Sequence, residues 1–163
     1  MSIPEKGKIL DLGIGNGLLW KMNKDHISTK KVLSEIRRVL TLEGVLYAST
    51  IGKDHFKELK ALLMAFEPNV DFAPEKVAEH FGLENGQKCV SAYFRKVDVS
   101  IYEDALVIPE VDSIIVYVSS VSNARAIFSG AKLENLYRYL ENELAKYGTI
   151  PVSKASGMFK ATG

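Results

Sequence analysis

The sequence predicts an α/β fold: parallel strands flanked by helices, with an antiparallel hairpin at the C-terminal end. Three observations predict it. First, the apolar run Lys8-Ile9-Leu10-Asp11-Leu12 leads into glycines at positions 13, 15 and 17, the way a buried parallel strand ends in a loop. Second, Val32, Leu33, Ile36, Val39 and Leu40 recur at helical spacing, and a further apolar run, Val45-Leu46-Tyr47-Ala48-Ser49-Thr50, follows them. Third, Thr149–Lys154 and Met158–Ala161 flank Ala155-Ser156-Gly157, which has the composition of a hairpin turn.

In chain order, residues 8–13 read as a strand and Gly13 to Gly17 as the turn after it. Ser28 is the expected N-cap of the amphipathic helix, and Gly44 its left-handed terminator. Val45–Thr50 is the next strand. Phe56, Leu59, Leu62, Leu63 and Phe66 define a helix from about Lys53, which Pro68-Asn69 breaks. Pro74 suits the first turn of a short helix with Val77, Ala78 and Phe81, and Asn85 caps another with Cys89, Val90, Tyr93, Phe94 and Val97. Val97, Val99 and Ile101 alternate with Asp98, Ser100 and Tyr102 as in a strand. Val111, Ile114, Ile115 and Val118 define one helix, and Leu133, Leu136, Tyr137, Leu140 and Leu144 a longer one before Gly148. Pro151 points to an edge position or a bulge.

A chain of 163 residues fits one domain, and it can bury roughly 68–70% of its unfolded surface without disulfides. Its 21 basic and 20 acidic residues leave a formal charge of +1, so no strong pull toward nucleic acid or an anionic membrane is expected. The single cysteine, Cys89, has no metal-type spacing around it and reads as a small buried residue. No leader pattern and no apolar run near 18 residues stands out, so the expected location is cytoplasmic.

Glycine loops of this kind let a bare backbone approach a ligand, with the next helix's free N–H groups turned the same way. The dinucleotide pattern Gly-x-Gly-x-x-Gly requires glycine where Leu18 stands, which makes a dehydrogenase a distant third reading. The run Ile9-Leu10-Asp11-Leu12-Gly13-Ile14-Gly15-Asn16-Gly17 instead resembles motif I of class I S-adenosylmethionine-dependent methyltransferases. His26-Ile27-Ser28 through Leu33-Ser34-Glu35-Ile36-Arg37-Arg38-Val39-Leu40, followed by Leu42 to Tyr47, looks like that family's late helix and fifth strand. Tyr102-Glu103-Asp104-Ala105-Leu106 looks like its sixth strand, and Lys154 to Phe159 like the final hairpin of its small-molecule branch. The resemblance spans nearly the whole chain from Lys8.

What the resemblance implies is a truncated Rossmann-like methyltransferase sheet and methyl transfer to a small-molecule acceptor. S-adenosylmethionine would be held by Asp11, Gly13, Gly15, Asn16, Gly17 and His26. No catalytic residue can be named and no metal is implied. The chain departs from the family in one large respect. Roughly 60 residues should separate motif I from the late helix, at about 30 per βαβ unit. Only ten lie between Gly17 and Ser28. The strand that offers an acid to the cofactor ribose is missing, and Glu35 belongs to the helical pattern. The first strand is thereby left as an open apolar edge, which a second copy of the chain would cover to form a homodimer. A second reading therefore stays open: a methyltransferase-like domain that does not catalyse and serves as an oligomeric or binding module.

The other polar residues have ordinary readings. His55 and His80 lie on amphipathic patterns as surface or boundary residues. Trp20 and Met22 cover the open strand edge. Tyr47, Tyr93, Tyr102 and Tyr117 fall in core-facing patterns.

Overall fold

The computed structural model describes residues 28–70 and 73–163. In chain order they form α1 (Thr29–Val39), β1 (Val45–Ile51), α2 (Lys57–Phe66), α3 (Ala73–Phe81), α4 (Leu83–Ser91), β2 (Lys96–Ile108), α5 (Val111–Ser120), α6 (Ser122–Ile127), α7 (Ala131–Tyr147) and β3 (Ile150–Thr162). Ser28 caps α1 by accepting from the Lys31 N–H at 3.3 Å. Leu40, extended, closes that helix, and Gly44 does not take the left-handed conformation expected of it. Gly148 does, with φ 76°, and its N–H bonds the Leu144 carbonyl at the end of α7. Asn85 sits inside α4 rather than at its cap. Its side chain accepts from the Gly82 N–H at 2.8 Å and donates to the Glu79 carbonyl at 2.8 Å, locking the α3–α4 corner.

The sheet among the described residues corrects the expected fold. It has three strands in the order β1-β3-β2, and both neighbours run antiparallel to β3. No parallel pair occurs in it, so the truncated Rossmann-like sheet is overturned. Residues 8–13, the expected parallel partner of Val45–Thr50, lie outside the described residues.

The expected hairpin is also absent. Ala155, Ser156 and Gly157 stay in one continuous ladder, opposite Glu103, Tyr102 and Ile101 of β2. Gly157 is small because the sheet is tight there, not because the chain turns. A Cβ on it would lie 2.6 Å from the Ser100 carbonyl oxygen and 2.7 Å from Leu83 Cδ2. Pro151 fits the ladder for a related reason. The carbonyls of Ser153 and Ala155 accept from Phe56 and Gly52 on the β1 side, at 2.8 and 3.0 Å. Alternation along a strand puts the missing donor of Pro151 on that same side, below the last β1 rung at Ser156.

Successive side chains of a strand point to opposite faces, and β3 uses both. Ile150 and Val152 enter a core with Leu59, Leu63, Val111, Ile114, Val118, Phe128, Leu136 and Leu140. Phe159 and Ala161 have the other parity, and Ala161 enters a second core with Leu33, Val90 and Phe94. The register from Lys96↔Thr162 to Ile108↔Ile150 is unbroken, so the two cores lie on opposite faces of the sheet. Each covers one half of β3. The helix faces of the first core follow from their spacing: Ile114 and Val118, and Leu136 and Leu140, are one turn apart and buried.

Helix α4 seats on β3 through Gly86, where a Cβ would lie 2.4 Å from Phe159 Cε2. The Phe159 ring is held edge-on by Phe81, with centroids 5.6 Å apart. Gly86→Ala is therefore expected to destabilise the protein by about 1–3 kcal/mol through overpacking. In a chain of this size each kcal/mol lowers Tm by roughly 2–4 °C. Thermal melts check this, and Gly86→Ala combined with Phe159→Leu should recover part of the loss.

Candidate functional site

All six residues expected to hold a cofactor, Asp11, Gly13, Gly15, Asn16, Gly17 and His26, lie outside the described residues, as do Trp20 and Met22. The described residues instead bring together a group that the sequence reading passed over, at the point where β1 gives way to α2. The expected helix from Lys53 begins only at Lys57, because the backbone before it is still bonded to the sheet edge. The Gly52 and Phe56 N–H groups bond Ala155 and Ser153, and the Lys53 N–H bonds Glu84 Oε1 at 2.8 Å.

Between these anchors Phe56 takes φ 60° and ψ 32°, the left-handed region. It is the one non-glycine residue with positive φ among the described residues. Such a conformation costs of the order of 1–3 kcal/mol and persists only where its surroundings enforce it. Here the Phe56 ring stacks on His55 with centroids 4.1 Å apart and meets Tyr117 edge-on at 5.7 Å.

His55 is half-buried, and its Nδ1 lies 3.1 Å from the Ala155 carbonyl oxygen. A carbonyl only accepts, so Nδ1 carries the proton, and in the neutral ring Nε2 keeps a lone pair. Burial lowers the pKa of His55 below its ordinary 6.5; the Ala155 carbonyl works against this, and the Lys154 cation adds to it. One turn further on, Glu58 accepts from both the Ser153 hydroxyl, at 2.6 Å, and the Ser153 N–H, at 2.8 Å. Burial raises its pKa, but the two Ser153 bonds and the Lys57 cation outweigh this and hold it below the ordinary carboxylate value. Burial also raises the Tyr117 phenol.

The arrangement is a ledge: a half-buried imidazole anchored on the Ala155 carbonyl and stacked on Phe56, with the Glu58 carboxylate anchored on Ser153, two residues away along β3. It can accept a proton from a hydroxyl or amine placed against it. Two open depressions flank the fold. One, of about 420 Å³, is lined by Glu58, Leu62, Glu143, Tyr147, Thr149 and Pro151 and begins at the ledge. The other, of about 540 Å³, lies over Arg37, Leu42, Tyr93, Phe94 and Arg95, where the Arg37 guanidinium stands 5.8 Å from the Phe94 ring. No cluster that could hold a metal ion occurs among the described residues.

The remaining expectations are placed as follows. His80 is exposed on α3, with its Nδ1 2.7 Å from the Lys76 carbonyl oxygen. Cys89 is a free thiol, partly buried against the second core. Tyr117 and Tyr93 pack against the two cores. Tyr102 departs from its core-facing pattern and is 55% exposed. Among the described residues no helix is long and apolar enough to cross a membrane. Compared with known proteins, the chain matches no family model and no curated protein.

Two tests address the ledge. By NMR, His55 should titrate below 6.5, and Lys154→Met should move its pKa upward while Nδ1 stays protonated. Ser153→Ala should cost about 1–2 kcal/mol at pH 7 by removing one bond to an ionised group. A carboxyl with a depressed folded pKa stabilises the fold above its unfolded value of 4.5, and that stability is lost as pH falls below it. The gap between wild type and Ser153→Ala in urea midpoint should accordingly close in acid.

Proposed function

We propose that the chain is an S-adenosylmethionine-dependent methyltransferase acting on a small-molecule acceptor. One observation carries the reading, the sequence Ile9-Leu10-Asp11-Leu12-Gly13-Ile14-Gly15-Asn16-Gly17. The cofactor supplies the methyl group, and Asp11, Gly13, Gly15, Asn16, Gly17 and His26 would hold it. The described residues lend two supports. Val45–Thr50 and Tyr102–Leu106, which resemble the family's fifth and sixth strands, belong to β1 and β2. His55 is a neutral base at the carboxyl end of β1. Methyl transfer asks a protein chiefly to position the acceptor, and a base helps where the acceptor must lose a proton. In this reading Nε2 of His55 takes that proton.

A specific observation favours a second reading, a methyltransferase-like domain that does not catalyse and serves as an oligomeric or binding module. Only ten residues separate Gly17 from Ser28, too few for a strand carrying a ribose-binding acid.

Calorimetric titration of the purified protein with S-adenosylmethionine and S-adenosylhomocysteine separates the two. The first reading expects micromolar binding, about −8 kcal/mol, that is lost in Gly15→Arg and kept in His55→Gln. Absence of heat from a well-folded protein would refute it and leave the second.

A further inference from the structure

We propose that two copies of the chain join along the outer edge of β2, in an antiparallel pairing with Ser100 opposite Ser100. Among the described residues the edge is long and free. β2 has 13 residues, it bonds β3 on one side, and it has no strand on its other side among the described residues. Ile101 and Tyr102 are 59% and 55% exposed on it. A long unpaired edge is a template for another strand, and its charges, Lys96, Asp98, Glu103 and Asp104, limit which strand can pair with it.

The backbone decides which residues are available. Odd-numbered residues of β3 bond toward β1, as Ser153 and Ala155 do with Phe56 and Gly52. Even-numbered residues of β3 therefore bond toward β2, and the unbroken register pairs them with even-numbered residues of β2. Val97, Val99, Ile101 and Glu103 are left with N–H and C=O groups turned outward. The next outward N–H, that of Ala105, is bonded by the Asp104 carboxylate at 2.8 Å, which closes the free edge at that point.

In an antiparallel ladder an outward-turned residue can face only another outward-turned residue. Self-pairing is thus limited to registers in which odd faces odd and even faces even. Centring on Ser100 puts Lys96 opposite Asp104 twice, Asp98 opposite Tyr102, and Val99 opposite Ile101. Centring on Ile101 instead sets Asp98 against Asp104. Centring on Glu103 or Asp104 sets that carboxylate against its own copy. Centring on Val97 also sets Lys96 against Asp98, but it covers only those three residues of β2; the Ser100 register pairs opposite charges, avoids like ones and covers Lys96 to Asp104, the span left open. Both ions are free to exchange partners, since Lys96 lies 3.6 Å from Asp98 and Asp104 lies 3.4 Å from Lys154 in exposed pairs. Charge and backbone direction together make this edge complementary to itself, so the occupant is a second copy of the chain.

The test is sedimentation velocity on the full chain across a concentration series, with melts to confirm that each variant folds. Wild type should dimerise. Lys96→Glu and Asp104→Lys should each weaken the dimer by about tenfold, because each sets like charges opposite one another twice. The double variant Lys96→Glu/Asp104→Lys should recover the wild-type constant. Ile101→Pro removes an outward donor and leaves the β3 ladder whole, so it should give a folded monomer. A monomeric wild type, or a dimer that neither single charge change nor Ile101→Pro weakens, would overturn the proposal.

Discussion

β3 is bonded on both sides, and the rest of the described structure depends on that. From Ser156 to Thr162 it has β1 on one side and β2 on the other, so alternate residues bond left and right and every amide is paired. The constraint is exacting for a strand of 13 residues. It forbids a turn at Ala155–Gly157, requires a residue without Cβ at Gly157, and tolerates proline only at Pro151, where one side of the strand is free. It also fixes both cores. With no bulge to reset the alternation, Ile150 and Val152 must face one way and Phe159 and Ala161 the other. Two helical layers on opposite faces are the consequence.

The ledge beside His55 arises from the same strand. Where β1 ends, β3 continues, and its carbonyls at Ser153 and Ala155 still need donors. The loop after β1 supplies them, which delays α2 to Lys57 and forces Phe56 into a left-handed conformation. Glu58 then comes within reach of the Ser153 N–H and hydroxyl. A backbone requirement of the sheet thus fixes the position of His55 and Glu58.

Much of the helical structure was legible in the sequence, because its causes are local. Ser28 caps α1, and Val111, Ile114 and Val118 mark the buried stripe of α5 by their spacing alone. Strand pairing is not local, and there the reading failed. An apolar run does not say which way its partner runs. Gly157 looked like a turn residue because the Ser100 carbonyl that crowds it is far away in the chain. β2 past Tyr102 carries Glu103 and Asp104 and loses its alternation, since an exposed edge strand has no face to keep apolar. The glycine loop from Asp11 to Gly17 is legible as chemistry, and it lies outside the described residues. His55 reads from sequence only as a surface or boundary residue for a comparable reason: its bonding partner, Ala155, is 100 residues away.

The most direct test of a continuous β3 between two antiparallel neighbours is amide hydrogen exchange, resolved by residue along Ser153 to Ala161. Protection at Ala155, Ser156 and Gly157 comparable to that at Phe159 and Ala161 is expected, since all belong to one ladder. Fast exchange confined to Ala155–Gly157, as at an exposed turn, would contradict it and restore the hairpin.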